Sequence, residues 1–207
     1  MTHEKLIAIV LAGGKSSRMG EDKALLPIRG VPLLQQICKI AESCADAVYV
    51  VTPWQERYQD LLPHTCKFIR EVYFPEEIDQ TQTTLTHGPL IGFAQALTYL
   101  QTQNQAEWIL LLACDLPNLQ VEILQAWREQ LVNVRKDAIA LLAHHQKGWE
   151  PLCGFYRQSC LPGLNEFIYQ GGRSFQQWLN QNTVEVLAAP NRDIFYNCNT
   201  PEDLLFD

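Results

Sequence analysis

The sequence predicts an α/β fold in three layers, a mostly parallel sheet with helices on both faces, and three observations carry that expectation. Short apolar runs alternate with amphipathic stretches through the first two thirds of the chain. The runs Leu6–Leu11 and Trp108–Ala113 are apolar at every position, as strands covered on both faces must be. Each run is followed directly by polar, turn-forming residues, and sheets of this kind hold ligands beyond the carboxyl ends of their strands.

Leu6 to Leu11 reads as the first strand. Pro32 to Cys44 predicts a helix, with Leu33, Ile37 and Ile40 on one side and Pro32 in its first turn. Ala47 to Val51 is the second strand and Cys66 to Ile69 a short third. Gly88-Pro89 opens a helix that runs to Leu100, and Trp108 to Ala113 is the clearest buried strand of the chain. Val121 to Val134 predicts a helix and Ala138 to Leu142 a fifth strand. Right-handed crossovers join such units. Beyond residue 145 the alternation weakens: Leu152 to Tyr156, Thr183 to Leu187 and Ile194 to Tyr196 read as strands, and Ser174 to Leu179 as a short helix. The stretch from Glu71 to Thr86 is polar, aperiodic and long for a loop, and loops of that length tend to be functional or mobile. No linker, repeat or low-complexity tract interrupts the pattern, so the expectation is one domain over residues 1–207.

Composition narrows the function. Apolar residues make up 47% and charged residues 19%, a globular balance that allows one substantial core. The net charge of −7 argues against nucleic acid or an anionic membrane as the main partner, so cations for an anionic substrate must be local. No stretch approaches the roughly 18 apolar residues of a membrane span, and Met1-Thr2-His3-Glu4-Lys5 carries no signal-peptide pattern. Seven scattered cysteines without a C-x-x-C pair suit free thiols in a cytoplasmic setting better than disulfides or a zinc site. His144-His145 would point to opposite strand faces, which disfavours a shared metal.

Those local cations follow the first strand. Leu11-Ala12-Gly13-Gly14-Lys15-Ser16-Ser17-Arg18-Met19-Gly20-Glu21-Asp22-Lys23 is a glycine-rich loop with three basic residues. Gly13, Gly14 and Gly20 can take positive φ and let the backbone approach a ligand. Successive N–H groups can then converge on an anion while Lys15, Arg18 and Lys23 add charge. A Walker loop is excluded, because Ile9 stands where its first glycine belongs, and G-x-G-x-x-G is absent. The chemistry is that of a polyphosphate site.

Asp115, just past the buried strand Trp108–Ala113, is a plausible single protein anchor for a magnesium–triphosphate, since Mg²⁺ is usually held by one or two carboxylates plus phosphate oxygens. Capping the loop at Pro117 is its structural alternative. Asn197 and Asn199 would face one side of an extended segment and could meet a polar ligand or a metal-bound water. Thr200-Pro201-Glu202-Asp203 resembles a helix start, which gives Asn199 a competing structural role. Asp22 either orients Lys23 through an ion pair or is a solvated loop carboxylate.

The motif L-A-G-G-x-S-S-R-M-G-x-D-K-A-L-L followed by G-x-P-L resembles the signature of the molybdenum cofactor guanylyltransferases, a branch of the nucleotidyltransferase superfamily. Four further segments resemble the same family in order: His87-Gly88-Pro89-Leu90-Ile91-Gly92, Ala113-Cys114-Asp115-Leu116-Pro117, Glu150-Pro151-Leu152 with Tyr156-Arg157, and Asn197-Cys198-Asn199-Thr200-Pro201-Glu202-Asp203. The resemblance implies a Rossmann-like sheet of the nucleotide-diphospho-sugar transferase type. It implies transfer of GMP from GTP to molybdopterin with release of pyrophosphate, and Mg²⁺ as cofactor. Molybdenum-cofactor insertion proteins or apoenzymes would be the protein partners.

By the same resemblance Leu11, Ala12, Gly13 and Gly14 contact the nucleotide. Lys15 and Arg18 serve the β and γ phosphates, Lys23 the α-phosphate, and Asp115 the metal; Arg18, Lys23 and Asp115 are the catalytic set. Glu71 is the nearest match to an acidic residue that helps read the nucleotide, although the family usually has Asp there. Gly88 and Pro89 would bring a helix amino end toward the ligand, and Asn197 and Asn199 stay with substrate or metal-bound water. No pattern marks a pterin pocket; Trp149, Glu150 and Arg173 are guesses for it. Two alternatives stay open: a related enzyme such as a molybdenum cofactor cytidylyltransferase, and a non-catalytic nucleotide or cofactor carrier.

Overall fold

A computed structural model describes residues 5–13, 22–72, 88–103, 106–188 and 192–195. Its centre is a seven-stranded sheet in the order β5-β4-β1-β6-β8-β7-β9. The strands are β1 Leu6–Leu11, β4 Ala47–Thr52, β5 Cys66–Arg70, β6 Trp108–Ala113, β7 Ala140–His145, β8 Gly148–Arg157 and β9 Val184–Val186. Every neighbour pairing is parallel except those of β8, which runs antiparallel to both β6 and β7. A separate two-stranded ribbon, β2 Pro27–Ile28 with β3 Val31–Pro32, precedes the first helix. Its turn places Arg29 (φ 51°) and Gly30 (φ 79°) in the left-handed region, as tight hairpins demand.

Alternation along β1 explains the layering. Leu6, Ala8 and Val10 face one side, packed with Leu34, Ile37, Cys38 and Ala41 of α1 (Leu33–Glu42) and with Leu124 and Trp127 of α4 (Val121–Arg128). Ile7 and Ile9 face the other, against Leu90, Phe93 and Leu97 of α3 (Pro89–Gln103). Leu164 of α5 (Leu161–Tyr169) and Trp178 of α6 (Phe175–Asn180) complete that second layer. In α1 the buried positions recur at three to five residue intervals, the stripe of an amphipathic helix. All six residues of β6 are buried, which is why the strand can be apolar throughout.

Several elements differ from the sequence reading. Pro32 ends β3 at φ −56°, ψ 140°, so it caps α1 from outside the first turn. The helix expected to Val134 stops at Arg128 and continues as a 3-10 segment, Glu129–Asn133. Residues 192–195 form a 3-10 turn where a strand was expected, with Phe195 stacked on Trp127 at 5.9 Å. Helix α5 and the one-turn α2, Gln55–Tyr58, are additions. The segment 73–87 lies outside the described residues.

Candidate active site

Three strand ends meet at the carboxyl edge of the sheet. The chain leaves β1 and bends toward β4, with Ala12 N donating to Val51 O at 2.9 Å. β6 leaves through the turn Cys114-Asp115, and β5 through Glu71. A cavity of about 260 Å³ opens between them, lined by Leu11, Ala12, Gly13, Lys23, Glu71, Gly88, Pro89 and Asp115 among others. These are eight of the residues singled out from sequence. Gly14, Lys15, Arg18, Asn197 and Asn199 lie outside the described residues.

Lys23 and Asp115 face one another across this cavity. Lys23 Nζ stands 3.6 Å from Asp115 Oδ2, and both side chains are about four-fifths buried, at 20% and 19% exposure. Burial raises the Asp115 pKa above the ordinary carboxylate value and the Lys23 charge offsets only part of that. An incompletely compensated carboxylate at a cavity wall suits an incoming cation. Among the described residues no three His, Cys, Asp or Glu side chains gather as a metal cage. Asp115 therefore fits a divalent ion that arrives already chelated by phosphates, the coordination Mg²⁺ favours. Burial pushes the neighbouring Cys114 thiol far above its usual range, so no thiolate forms at this wall.

Asp22 is not the solvated loop carboxylate of the second expectation, its side chain being 18% exposed. Its carboxylate accepts the Ala24 N–H at 3.1 Å and the Tyr58 hydroxyl at 2.6 Å, and Arg57 lies 3.6 Å away. Arg57 is itself set over the Trp54 ring. Asp22 thus caps the 3-10 turn Lys23–Leu25 and ties it to α2, fixing the backbone that carries Lys23. Burial raises the Tyr58 phenol well above its usual pKa, so it remains a donor throughout the working range. Removing it with Tyr58→Phe should cost about 1–2 kcal/mol in urea unfolding, the usual loss for a partly buried charge-assisted bond. An unchanged midpoint would mean that Ala24 and Arg57 hold Asp22 without help.

Glu71 forms the far wall. It is 7% exposed, and no side-chain partner stands beside its carboxylate among the described residues. Burial alone pushes its pKa from 4.5 up to about 7. Two glycines make room for it. A Cβ on Gly13 would lie 2.5 Å from Glu71 Oε2, and one on Gly92 would lie 3.5 Å from Oε1. Gly13 is therefore needed for close approach and not for the positive φ expected of it, which is found at Gly88 (φ 78°), where the chain turns into α3.

The guessed pterin residues take structural partners. Trp149 Nε1 donates to Asn180 Oδ1 at 3.0 Å, Glu150 meets His145 Nε2 at 2.5 Å, and Arg173 donates to the Ile168 and Gly172 carbonyls. None of the three lines the cavity; Leu152 does. Val51, Gly92 and Cys114 also line it and were not singled out as ligand residues. Gly92, inside G-P-L-I-G, and Cys114, inside A-C-D-L-P, had a sequence signal; Val51 had none. Asn118 Nδ2 donates to Asp193 O at 2.9 Å, tying the turn at 192–195 to the loop that follows Asp115.

Comparison with known proteins agrees with this geometry. Residues 8–186 match the MobA-like NTP transferase domain. A protein of Nostoc sp. described as a probable molybdenum cofactor guanylyltransferase is 60% identical over 96% of this chain and 88% of its own length. A Synechococcus elongatus protein with the same description is 44% identical over 95% of this chain and 94% of its own. Among solved structures, molybdopterin-guanine dinucleotide biosynthesis protein A of Archaeoglobus fulgidus superimposes with a TM-score of 0.71 at 22% identity. That match covers 96% of this chain and 95% of the other, a likeness of fold. With its parallel sheet and its cavity at the strands' carboxyl edge, the chain belongs to the MobA-like NTP transferase family of nucleotidyltransferases.

Proposed function

We infer that the protein transfers GMP from GTP to molybdopterin, releasing pyrophosphate and leaving the guanine dinucleotide form of the cofactor. The observation that carries this reading is the Lys23–Asp115 pair facing Glu71, whose carboxylate has no side-chain partner among the described residues, across one cavity. The relatives described as guanylyltransferases support the choice of nucleotide and acceptor.

In this reading the guanine lies toward Glu71. An ionised carboxylate accepts two N–H donors side by side, as guanine's N1 and N2 edge presents them, and it repels the N1 lone pair of adenine. The ribose and α-phosphate pass over the backbone of Leu11, Ala12 and Gly13, with Gly88 and Pro89 at the opposite side. Lys23 takes the charge on the α-phosphate, and Lys15 and Arg18 take the β and γ phosphates. Asp115 would hold Mg²⁺, which when bound draws charge from the phosphate oxygens. Asn197 and Asn199 are assigned to the acceptor side.

The reacting step needs little proton traffic. A phosphate monoester has a second pKa of about 6, so the acceptor phosphate is largely dianionic at neutral pH. One of its oxygens forms a bond to the α-phosphorus of GTP while the bond from that phosphorus to the β-bridging oxygen breaks, and pyrophosphate carries the electron pair away. The protein supplies alignment and charge stabilisation. A reducing, cytoplasmic setting goes with this chemistry, since the six described cysteines are free thiols. No helix among the described residues is long and apolar enough to cross a membrane.

Thermal shift with the four ribonucleoside triphosphates and Mg²⁺ tests the reading directly. GTP at a hundred times its Kd should add about 2.7 kcal/mol of stability, with much smaller effects from ATP, CTP and UTP. Preferential stabilisation by CTP would overturn the choice of nucleotide.

A further inference from the structure

Glu71 stands in an energetically awkward position. A carboxylate that burial alone lifts to a pKa of about 7 gains hydration by swinging outward, and the residue directly after it is exposed. Val72 is 56% exposed, so its own side chain does not anchor that exit. The ladder to β4 ends here, at Glu71 N donating to Thr52 O. Among the described residues, the next peptide is held by one side chain on α3. Gln95 Oε1 accepts the Val72 N–H at 2.9 Å, and Gln95 Nε2 donates to Val72 O at 2.8 Å.

This two-point amide clamp imitates one more strand pairing across the helix–sheet gap. It satisfies both backbone groups of the residue after Glu71. Gln95 lies three positions after Gly92, hence on the same side of α3. One helix face therefore provides the space beside Glu71 Oε1 and the brace on the following peptide. The Thr52 contact from β4 and the Gln95 clamp from α3 leave the Glu71 backbone held on both sides.

We propose that Gln95 is a positioning residue for base selection, holding the exit of β5 so that the Glu71 carboxylate stays aimed into the cavity. The inference rests on Glu71 reading the guanine edge, as stated above. Among the described residues, the charged groups nearest Glu71 along its own strand are Arg70 and Lys67, the facing stretch of α3 from Pro89 to Gln95 carries none, the β1 exit brings Gly13 against it, and Asp22, Lys23 and Asp115 line the same cavity. Selectivity at this wall thus depends on where one carboxylate points.

The test is isothermal titration of the ligand-free protein with GTP and separately with ATP, both with Mg²⁺, for wild type, Gln95→Met, Gln95→Ala and Glu71→Gln. Methionine keeps the packing of the Gln95 stem and removes both polar contacts, which guards against a variant that fails to fold. The clamp predicts GTP affinity falling by about three- to tenfold in both Gln95 variants, with ATP affinity unchanged. In Glu71→Gln the GTP-over-ATP preference should collapse. Should GTP and ATP weaken together, or neither change, in the Gln95 variants while Glu71→Gln loses selectivity, the clamp is only structural and the proposal falls. A Glu71→Gln protein that keeps its preference for GTP would instead remove the reading of the base on which the clamp depends.

Discussion

Asp115→Ala and Lys23→Ala should each slow pyrophosphate release on the order of 10²–10³-fold while the protein remains folded. The two side chains form one ion pair at the cavity wall, and in the proposed reaction each turns to a different part of the triphosphate. Losing Asp115 removes the anchor for the metal–phosphate charge, and losing Lys23 removes the cation nearest the reacting phosphorus. The effect on stability should be moderate, about 1–3 kcal/mol, because truncating one partner removes part of the other's compensation for burial. Both side chains are about four-fifths buried, but the Asp115 carboxyl, already raised by burial, can take up a proton when Lys23 is gone. Pyrophosphate release followed with GTP and molybdopterin, alongside a thermal melt, separates lost chemistry from lost fold. Turnover at the wild-type rate in either variant would refute the assigned roles.

The second large effect is expected at Glu71. Its pKa is about 7 in the folded protein against 4.5 for an ordinary glutamate, so folding is penalised by the ionised form. The stability this group permits is fully present below pH 4.5 and is lost as pH rises through about 7. The displacement corresponds to about 3 kcal/mol, and a glutamine in its place would retain roughly 1 kcal/mol as the burial cost of a neutral amide. Glu71→Gln should therefore be more stable than wild type by about 2 kcal/mol at pH 8. That advantage should vanish near about pH 5 and reverse by about 1 kcal/mol well below pH 4.5, where the wild-type carboxyl is neutral. Binding should move the other way: wild-type affinity for GTP should weaken as pH falls below 7, because the proton must leave before guanine binds, whereas the variant should bind weakly at every pH. Urea midpoints and GTP titrations from pH 5 to pH 8 measure both on the same samples. A variant no more stable than wild type at pH 8 would show that the Glu71 carboxylate is not an uncompensated charge. Such a gain in stability with a loss of function is the pattern of a residue kept for its chemistry.

Much of the cavity's lining was legible in the sequence, for a simple reason. Leu6–Leu11 and Trp108–Ala113 are uninterrupted apolar runs, and a parallel sheet delivers whatever follows such runs to one edge. Gly88-Pro89 was legible because positive φ and a first-turn proline are local demands. The Asp22–Tyr58 bond was not, since it joins residues 36 positions apart with no pattern linking them. Gln95 and Val72 likewise meet only because α3 folds back over β5. Helix α5 hid behind Pro162-Gly163, residues that usually punctuate a helix but are tolerated in its first turn. The three apolar residues Ile194 to Tyr196 were too few for a period to tell strand from turn. The direction of β8 leaves no trace in hydrophobic alternation, so its antiparallel course became visible only through its partners.

That reversal has a consequence for how the two sides of the cleft can diverge. Leu152, the part of the opposing wall that reaches the cavity, comes from the arm that turns back at Gln146-Lys147. A tip of that sort can lengthen or change composition without rethreading anything behind it. The wall assigned to the donor in the proposed reaction is built instead from loops spliced into crossovers of fixed hand. Under the proposed reaction, one substrate's berth would be tied to the scaffold and the other's left open to remodelling.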